Sequence, residues 1–144
     1  METSAAQCIC DHTYFVGKAE GGTWVHNTCV ALDTNAIIAL LEGSSADQAA
    51  VRAAIGGRTP VVSITAAKEF LAGGGDVNAL RSFLASNGGR IGAAGDGATV
   101  SGLMSSGLKA GDARVVGSAM KEGVPLMTRD KRLLRKIPGI GVGF

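Results

Sequence analysis

Histidine, cysteine, tryptophan and tyrosine are all missing from residues 30–144 of this 144-residue chain. Their absence excludes serine–histidine–aspartate and cysteine–histidine catalysis from that stretch, and also a pair of histidines acting as general acid and base. A zinc site of histidine and cysteine ligands is excluded there for the same reason. The chemistry of residues 30–144 must therefore come from carboxylates, hydroxyls, amides, lysine and arginine.

Aromatic residues and long apolar runs are also scarce. Only Phe70, Phe83 and Phe144 lie beyond residue 29, which argues against a base-stacking platform of the RRM or OB type. No apolar run reaches the roughly 18 residues that cross a bilayer, so we expect no membrane-spanning segment. The N-terminus has neither a basic nor a long apolar region, which argues against a signal peptide.

The residues that are present divide the chain into two parts. All three cysteines and both histidines lie within the first 29 residues. Residues 1–27 carry one basic and three acidic residues, a net charge of −2, whereas residues 28–144 carry 13 basic and 9 acidic residues, a net charge of +4. We therefore predict a separate N-terminal segment over residues 1–28. A mildly basic domain over residues 29–144, compatible with nucleic acid, would follow it.

Short apolar runs alternate with helical patterns after residue 28. Strands are predicted at 29–33, 60–64, 90–95, 124–128 and 139–144. Helices are predicted at 36–43, 49–55, 66–72, 77–86, 97–106, 113–123 and 131–136. This alternation predicts an α/β domain with a central, mainly parallel sheet of four to five strands and helices on both faces. Two β-prone runs before residue 28 predict an N-terminal β-hairpin appendage.

Helix starts and one buried helix face can also be predicted. Asp47 is placed to cap the second helix, and Ser63 or Thr65 to cap the third. The predicted inner face of the helix over 113–123 consists of Val115, Val116, Ala119 and Met120.

Acidic residues stand where the predicted strands end. Asp33 closes the first strand, and Asp130 lies just past the fourth. Asp112 stands at the start of the helix that leads into the fourth strand, and Glu69 lies in the helix after the second strand. Because ligands bind at the carboxyl edge of a parallel sheet, we expect all four side chains to project to one edge.

Four converging carboxylates would repel one another at neutral pH. A hard divalent cation with oxygen ligands, Mg²⁺ or Mn²⁺, relieves that repulsion, and such an ion supports phosphodiester hydrolysis. Three of the four residues also have a plainer interpretation. Asp112 is placed to cap a helix, Glu69 to be a solvated helix residue, and Asp130 to belong to a surface turn.

The order and context of these residues resemble the PIN-domain family over roughly residues 29–144. The segment VALDTNAIIALLEG (30–43) resembles its first strand and DTN-type start, and PVVSITAAKEFLAG (60–73) its next strand and Glu-bearing helix. The segment GDARVVGSAMKEGVPLMTRDKRL (111–133) resembles its closing part and is the most specific match. The resemblance implies an endoribonuclease that binds Mg²⁺ or Mn²⁺ through Asp33, Glu69, Asp112 and Asp130. It also implies that Thr34, Asn35 and Thr128 support the site by hydrogen bonding.

RNA hydrolysis of this kind needs a proton acceptor and contacts to phosphates. Glu69 or Asp112 is the candidate for the proton of the attacking water, and the resemblance implies a 5′-phosphate and a 3′-hydroxyl as products. Candidate phosphate contacts are Arg114, Arg129, Lys131, Arg132, Arg135 and Lys136. Residues 129–136 carry five basic residues and one acidic residue, a net charge of +4. A solvated helix face is the alternative for that run.

The N-terminal segment resembles the last strands of a Hint (intein-type) self-cleaving domain. Those domains end in His-Asn followed by Ser, Thr or Cys, and the matching residues here are His26, Asn27 and Thr28. In that chemistry the Asn amide attacks its own carbonyl while a His transfers a proton, so His26 and Asn27 form a candidate processing site. A plain hairpin with a His-Asn turn, a disulfide and a zinc site remain alternatives. The zinc ligands would be Cys8, Cys10, His12 and Cys29.

A Hint remnant before a nuclease resembles the polymorphic bacterial toxins, such as rearrangement-hotspot and contact-dependent inhibition effectors. That resemblance implies delivery as part of a larger secreted effector, cleavage of transfer or ribosomal RNA in the target-cell cytoplasm, and a cognate immunity protein. A homodimer is a further expectation from the PIN family. The alternative functions are a nuclease acting on DNA, and a catalytically silent PIN fold that serves as a binding module.

Overall fold

A computed structural model of the chain describes residues 28–144. The predicted N-terminal hairpin and the candidate processing site at His26 and Asn27 lie outside the described residues. The proposed division of the chain at residue 28 therefore stays a prediction.

Five strands and seven helices alternate within residues 28–144. The strands are β1 (Cys29–Leu32), β2 (Thr59–Ser63), β3 (Arg90–Gly92), β4 (Leu126–Met127) and β5 (Gly141–Val142). The helices are α1 (Thr34–Glu42), α2 (Ser45–Ile55), α3 (Ile64–Ala72), α4 (Val77–Ser86), α5 (Gly97–Ser105), α6 (Ala110–Glu122) and α7 (Lys131–Lys136). None of these helices has the length and apolar character to span a bilayer.

All five strands join one parallel sheet in the order β3-β2-β1-β4-β5. The chain first moves outward from β1 to β2 and β3, and then returns to lay β4 on the other side of β1. The direction of the strand order thus reverses at β1, between β2 and β4. In open parallel sheets, such a reversal opens a crevice beyond the carboxyl ends of the strands.

The core lies around the two central strands. Every residue of β1 and β2 is buried, which requires cover on both faces of the sheet. The predicted α/β fold, with a parallel sheet between layers of helices, is confirmed. Because both faces are covered, β1 is a continuous apolar run, and the adjacent Val61 and Val62 of β2 are both buried.

Three local predictions were wrong. Helix α2 begins at Ser45, and its cap is Ser44 rather than Asp47. Helix α6 begins at Ala110, three residues earlier than predicted, with Lys109 at its N-cap. Met120 was predicted on the buried face of α6 but is 38% exposed. The buried face includes Ser118 and Glu122 instead.

Those two polar residues are buried because they have partners. The Ser118 hydroxyl donates to the carbonyl of Ala93, and Glu122 pairs with Arg90 and accepts from the backbone N–H of Ala93. Helix α6 is thereby attached along its length to β3 and the loop that follows it.

Candidate functional site

The loops after β1 and β4 meet where the strand order reverses. Asp33 directly follows β1, and Thr128 directly follows β4. The backbone N–H of Asp33 donates to the carbonyl of Met127 at 2.9 Å. This bond continues the hydrogen bonding between β1 and β4 to the edge of the sheet. The first and last predicted site segments are therefore neighbours, although 95 residues separate Asp33 from Thr128.

Asp33 is buried at 7% exposure and is held by hydrogen bonds. Its Oδ1 accepts from the backbone N–H of Thr34 at 2.8 Å, which caps α1, and its Oδ2 accepts from the Thr128 hydroxyl at 2.8 Å. Burial raises the pKa of the Asp33 carboxyl, because the charged form loses solvation. The bonds from Thr128 and Thr34 lower this pKa, and the nearby charges of Asp112 and Glu69 raise it further.

Thr128 and Asn35 link the two loops. Thr128 is fully buried, and besides donating to Asp33 its hydroxyl accepts from the Asn35 side chain at 3.0 Å and from the backbone N–H of Asp130 at 3.1 Å. The Asn35 carbonyl oxygen accepts from the backbone N–H of Arg129 at 3.2 Å. Both residues thus join the two loops by hydrogen bonds, and their support of a metal site stays a prediction.

Glu69 reaches the site from α3. Its Oε1 accepts from the Thr34 hydroxyl at 2.6 Å. Its Oε2 lies so close to Gly111 of α6 that a Cβ at that position would stand 2.8 Å away. The glycine therefore lets the start of α6 approach the Glu69 carboxylate.

Asp112 lies in the first turn of α6, but it does not cap the helix, because Lys109 occupies the N-cap without a side-chain bond. Within residues 28–144, Asp112 makes no hydrogen bond. Partial burial is the largest cause that raises the pKa of its carboxyl, followed by the charges of Asp130 and Glu69, while Lys109 and Lys136 oppose the rise. A carboxylate without a partner beside two others is poorly satisfied by this chain alone.

Asp130 caps α7 and also faces Asp112. Its Oδ1 accepts from the backbone N–H groups of Arg132 and Leu133 at 3.0 and 3.2 Å. Asp112 and Asp130 line a pocket of about 110 Å³, which is large enough for several water molecules. Three cations share the lining of this pocket: Lys109, Arg132 and Lys136.

The four predicted carboxylates thus gather at one sheet edge and lack paired cations. The ion pairs among the described residues are Arg90–Glu122, Lys121–Asp96 and Arg129–Asp47. An all-carboxylate set of donors suits Mg²⁺ or Mn²⁺. Within residues 28–144 no three such side chains stand close enough together to hold an ion as they are. The Glu69 carboxylate accepts from Thr34, and the Asp130 carboxylate accepts from the start of α7.

The predicted phosphate contacts occupy different surroundings. Arg129 pairs with Asp47 at 3.0 Å and lies 4.7 Å above the Phe144 ring, so its guanidinium is engaged within the protein. Lys131 and Arg132 are exposed on α7, and Arg132 borders the small pocket. Arg114 lines a separate, larger cavity. Sequence reasoning missed Lys109, Lys68 and Gly111, although each lies within three residues of a predicted carboxylate.

Comparisons with known proteins agree with this architecture. The family model of the PIN domain matches residues 30–139. Among solved structures, VapBC2 from Rickettsia felis bound to a DNA fragment from their promoter has a TM-score of 0.63 at 15% identity, covering 81% of this chain and 98% of that one. A toxin–antitoxin complex from Klebsiella pneumoniae has a TM-score of 0.56 at 21% identity, covering 78% and 95%. No curated protein matches the chain significantly.

Proposed function

The chain belongs to the PIN-domain family, and from this premise we propose that it is a metal-dependent endoribonuclease that acts as a toxin. The observation that carries the proposal is the meeting of four carboxylates from four separate segments at one sheet edge. The pKa values of Asp33 and Asp112 are raised, first by burial and then by neighbouring negative charge, and neither carboxylate forms an ion pair with a described residue. Asp112 forms neither an ion pair nor a helix cap within residues 28–144.

Asp33, Glu69, Asp112 and Asp130 are the residues that would hold Mg²⁺ or Mn²⁺. Such an ion, when bound, supplies a counter-charge, activates water and stabilises the leaving oxygen of a phosphodiester. The chain itself supplies the proton acceptor. Asp112 suits this role better than Glu69, because the Glu69 carboxylate is occupied by Thr34 whereas Asp112 has no hydrogen bond among the described residues.

Basic residues around the small pocket would position the RNA backbone. Arg132 borders the pocket together with Lys109 and Lys136, and Lys131 is exposed at the start of α7. Contacts of this type orient a nucleic acid without reading its sequence, and they make its affinity depend on salt. Arg129 is a weaker candidate, because Asp47 and Phe144 already engage it.

A neutralising protein partner is the second part of the proposal. The similar solved structures are described as a VapBC2 assembly and a toxin–antitoxin complex, and the closing segment 111–133 carries the PIN resemblance most specifically. We propose that a cognate immunity or antitoxin protein covers the acidic pocket and its basic rim.

Delivery to a rival bacterium within a larger effector, with processing at His26 and Asn27, is proposed from the Hint resemblance alone. Homodimer formation is proposed from the family alone.

The test of the nuclease proposal is incubation of total bacterial RNA with the purified chain in Mg²⁺, in Mn²⁺ and in EDTA. We expect discrete fragments with 5′-phosphate ends in either metal and none in EDTA. Asp33→Asn and Asp112→Asn should each lower the cleavage rate by about 100-fold or more, since even groups behind the ligands of a metal site contribute 10- to 100-fold. Glu42→Gln removes an exposed carboxylate outside the cluster and should cleave like the wild type.

Two results would contradict the proposal. Cleavage of single-stranded DNA with RNA left intact would replace the ribonuclease by a DNA-directed enzyme. Intact RNA and DNA under every condition would leave only the binding-module interpretation.

A further inference from the structure

A second, larger cavity opens beside the carboxylate cluster. It lies between α3, α5 and α6, and its volume of about 560 Å³ falls within the usual range for small-ligand sites. Ser63 at the end of β2 and Ala94 just after β3 line its base. The cavity therefore opens at the same carboxyl edge of the sheet as the four acidic residues.

Two cations line this cavity, and each is a close neighbour in sequence of a cluster carboxylate. Lys68 precedes Glu69 on α3, and Arg114 follows Asp112 by two positions on α6. Residues one or two positions apart point to different sides of a helix. Both helices thus present an acid to the cluster and a base to the cavity.

The cavity is positive where the cluster is negative. The residues that line it include no aspartate or glutamate. Neither Lys68 nor Arg114 forms an ion pair with any described residue, and both side chains are exposed. Two unpaired cations beside a negative cluster are placed for an anionic group of the ligand.

Apolar side chains also line the cavity. Ile64 is 43% exposed and Met104 is 46% exposed, and Val100 lies with them in the lining. An aliphatic wall and a polarisable thioether suit the flat apolar face of a nucleobase. The hydroxyls of Thr65 and Ser101, also in the lining, are placed for the polar edge of a base or for a ribose 2′-hydroxyl.

We propose that this cavity is a nucleotide subsite that holds one RNA nucleotide adjacent to the scissile phosphate. The base packs against Ile64, Val100 and Met104, and the neighbouring phosphate binds Lys68 and Arg114. The adjacency to the scissile bond rests on the proposed nuclease function. The binding of a nucleotide does not, because it depends only on the charge and shape of the cavity.

The first experiment measures binding without cleavage. Each of the four nucleoside 5′-monophosphates is added in EDTA to the ¹⁵N-labelled chain, and amide chemical shifts are followed by NMR. We expect shifts concentrated at residues 63–68, 94–104 and 114–118 for at least one of the four.

The second experiment separates the phosphate contacts from the base contact. A fluorescent single-stranded RNA oligonucleotide is titrated in EDTA against variants at several salt concentrations. Lys68→Ala and Arg114→Ala should each raise the Kd about tenfold. Each should also reduce the slope of log affinity against log salt by about 0.7. Met104→Ser should raise the Kd without changing that slope, because it removes apolar contact alone.

Arg81→Ala is the matched control. Arg81 is an exposed arginine on α4, outside both pockets, so its loss should leave the Kd of the oligonucleotide unchanged. The altered side chains are all exposed, and circular dichroism checks that each variant is folded.

The outcomes distinguish the subsite from the nuclease. Cleavage that proceeds normally while Lys68→Ala and Arg114→Ala bind RNA like the wild type overturns the subsite and leaves the nuclease intact. Cavity shifts and weakened binding with no RNA cleavage support the subsite and overturn the nuclease. Variants that keep RNA affinity but lose affinity for a purified neutralising protein would identify the cavity as a protein-docking groove and overturn the proposal.

Discussion

At the scale of single residues, the hydroxyl of Thr128 joins three parts of the site. It donates to Asp33 and accepts from the Asn35 side chain and from the backbone of Asp130. A hydroxyl has one hydrogen to donate and two lone pairs, so all of its capacity is used. Thr128 therefore sets the relative position of the loops after β1 and β4.

Thr128→Val should destabilise the fold and weaken the site. Valine keeps the shape but leaves buried polar groups of Asp33 and Asn35 without this partner, which costs about 1–3 kcal/mol in the free energy of unfolding. The pKa of Asp33 should rise further, because the bond that lowers it most is lost. Urea unfolding measures the first effect. Thr99→Val is the control, at a position on α5 without a side-chain hydrogen bond, and it should change the free energy of unfolding by no more than about 0.5 kcal/mol. If both variants lose the same stability, Thr128 does not hold the two loops together.

Gly111→Ala should separate stability from activity. Gly111 is the second residue of α6, and alanine in place of glycine stabilises a compatible position by about 0.4–1 kcal/mol because it restricts the unfolded chain, so the variant should be at least as stable as the wild type. Its Cβ would stand 2.8 Å from Glu69 Oε2, and the flexible carboxylate must move away. Because catalysis depends on the exact position of such groups, displacing the Glu69 carboxylate should lower the RNA cleavage rate by about 10- to 100-fold.

The same change at an unobstructed glycine supplies the comparison. Gly102 on α5 has open space where a Cβ would stand, so Gly102→Ala should leave the cleavage rate unaltered. A Gly111→Ala protein that cleaves RNA at the wild-type rate would show that the position of Glu69 is not critical.

At the scale of elements, α6 determines where Asp112 lies. Its C-terminal end is anchored by Glu122, which pairs with Arg90 of β3. Its middle packs directly against the loop after β3, where Gly95 meets Gly117 backbone to backbone. The N-terminal end of α6 is consequently held against Glu69 of α3.

Gly95→Ala should disturb this packing. A Cβ at Gly95 would lie 2.6 Å from the carbonyl carbon of Gly117, and a helix backbone cannot shift as a side-chain end can. Overpacking of this kind costs about 1–3 kcal/mol, measurable by chemical denaturation. Gly102→Ala should instead stabilise the protein by up to about 1 kcal/mol. If the two variants unfold alike, the close approach does not matter for stability.

At the scale of the whole molecule, the cluster concentrates negative charge at one edge of the sheet. Asp33 and Asp112 have raised pKa values, first because of burial and then because of neighbouring carboxylates. The folded state therefore binds their protons more tightly than the unfolded state, where the reference pKa is 3.8. The two protonated carboxyls therefore add to the free energy of unfolding at pH values below 3.8. This stabilisation is lost as the pH rises through their higher pKa values in the folded state.

Asp112→Asn should consequently raise the Tm at pH 7, where the wild-type carboxylate is charged and repelled. The difference between variant and wild type should shrink as the pH falls through the raised pKa of Asp112, since the protonated carboxyl, like the amide of asparagine, carries no charge. Thermal unfolding followed by circular dichroism between pH 4 and pH 8 measures this difference. A variant with a lower Tm than the wild type at pH 7 would contradict the expected stabilisation.

Mg²⁺ or Mn²⁺ should raise the Tm of the wild type at pH 7. A ligand that binds only the folded state stabilises it by about 2.7 kcal/mol at a concentration 100-fold above its Kd. Asp33→Asn and Asp112→Asn should show a smaller rise, and NaCl at equal ionic strength serves as the control for screening. If the divalent salts and NaCl change the Tm of the wild type equally, the cluster does not bind a metal ion.

Local patterns in the sequence determined the alternation of strands and helices and the place of Asp33 at the carboxyl end of β1, and they narrowed the cap of α3 to Ser63 or Thr65. Buried strands and helix starts leave such patterns because their hydrogen bonding and burial repeat over a few residues. Only the tertiary structure decided that Asp112 stays uncapped, that Arg129 pairs with Asp47, and that Lys68 and Arg114 share a cavity. These relations join residues far apart in the chain, and they follow from the reversal of strand order at β1, which no local periodicity encodes.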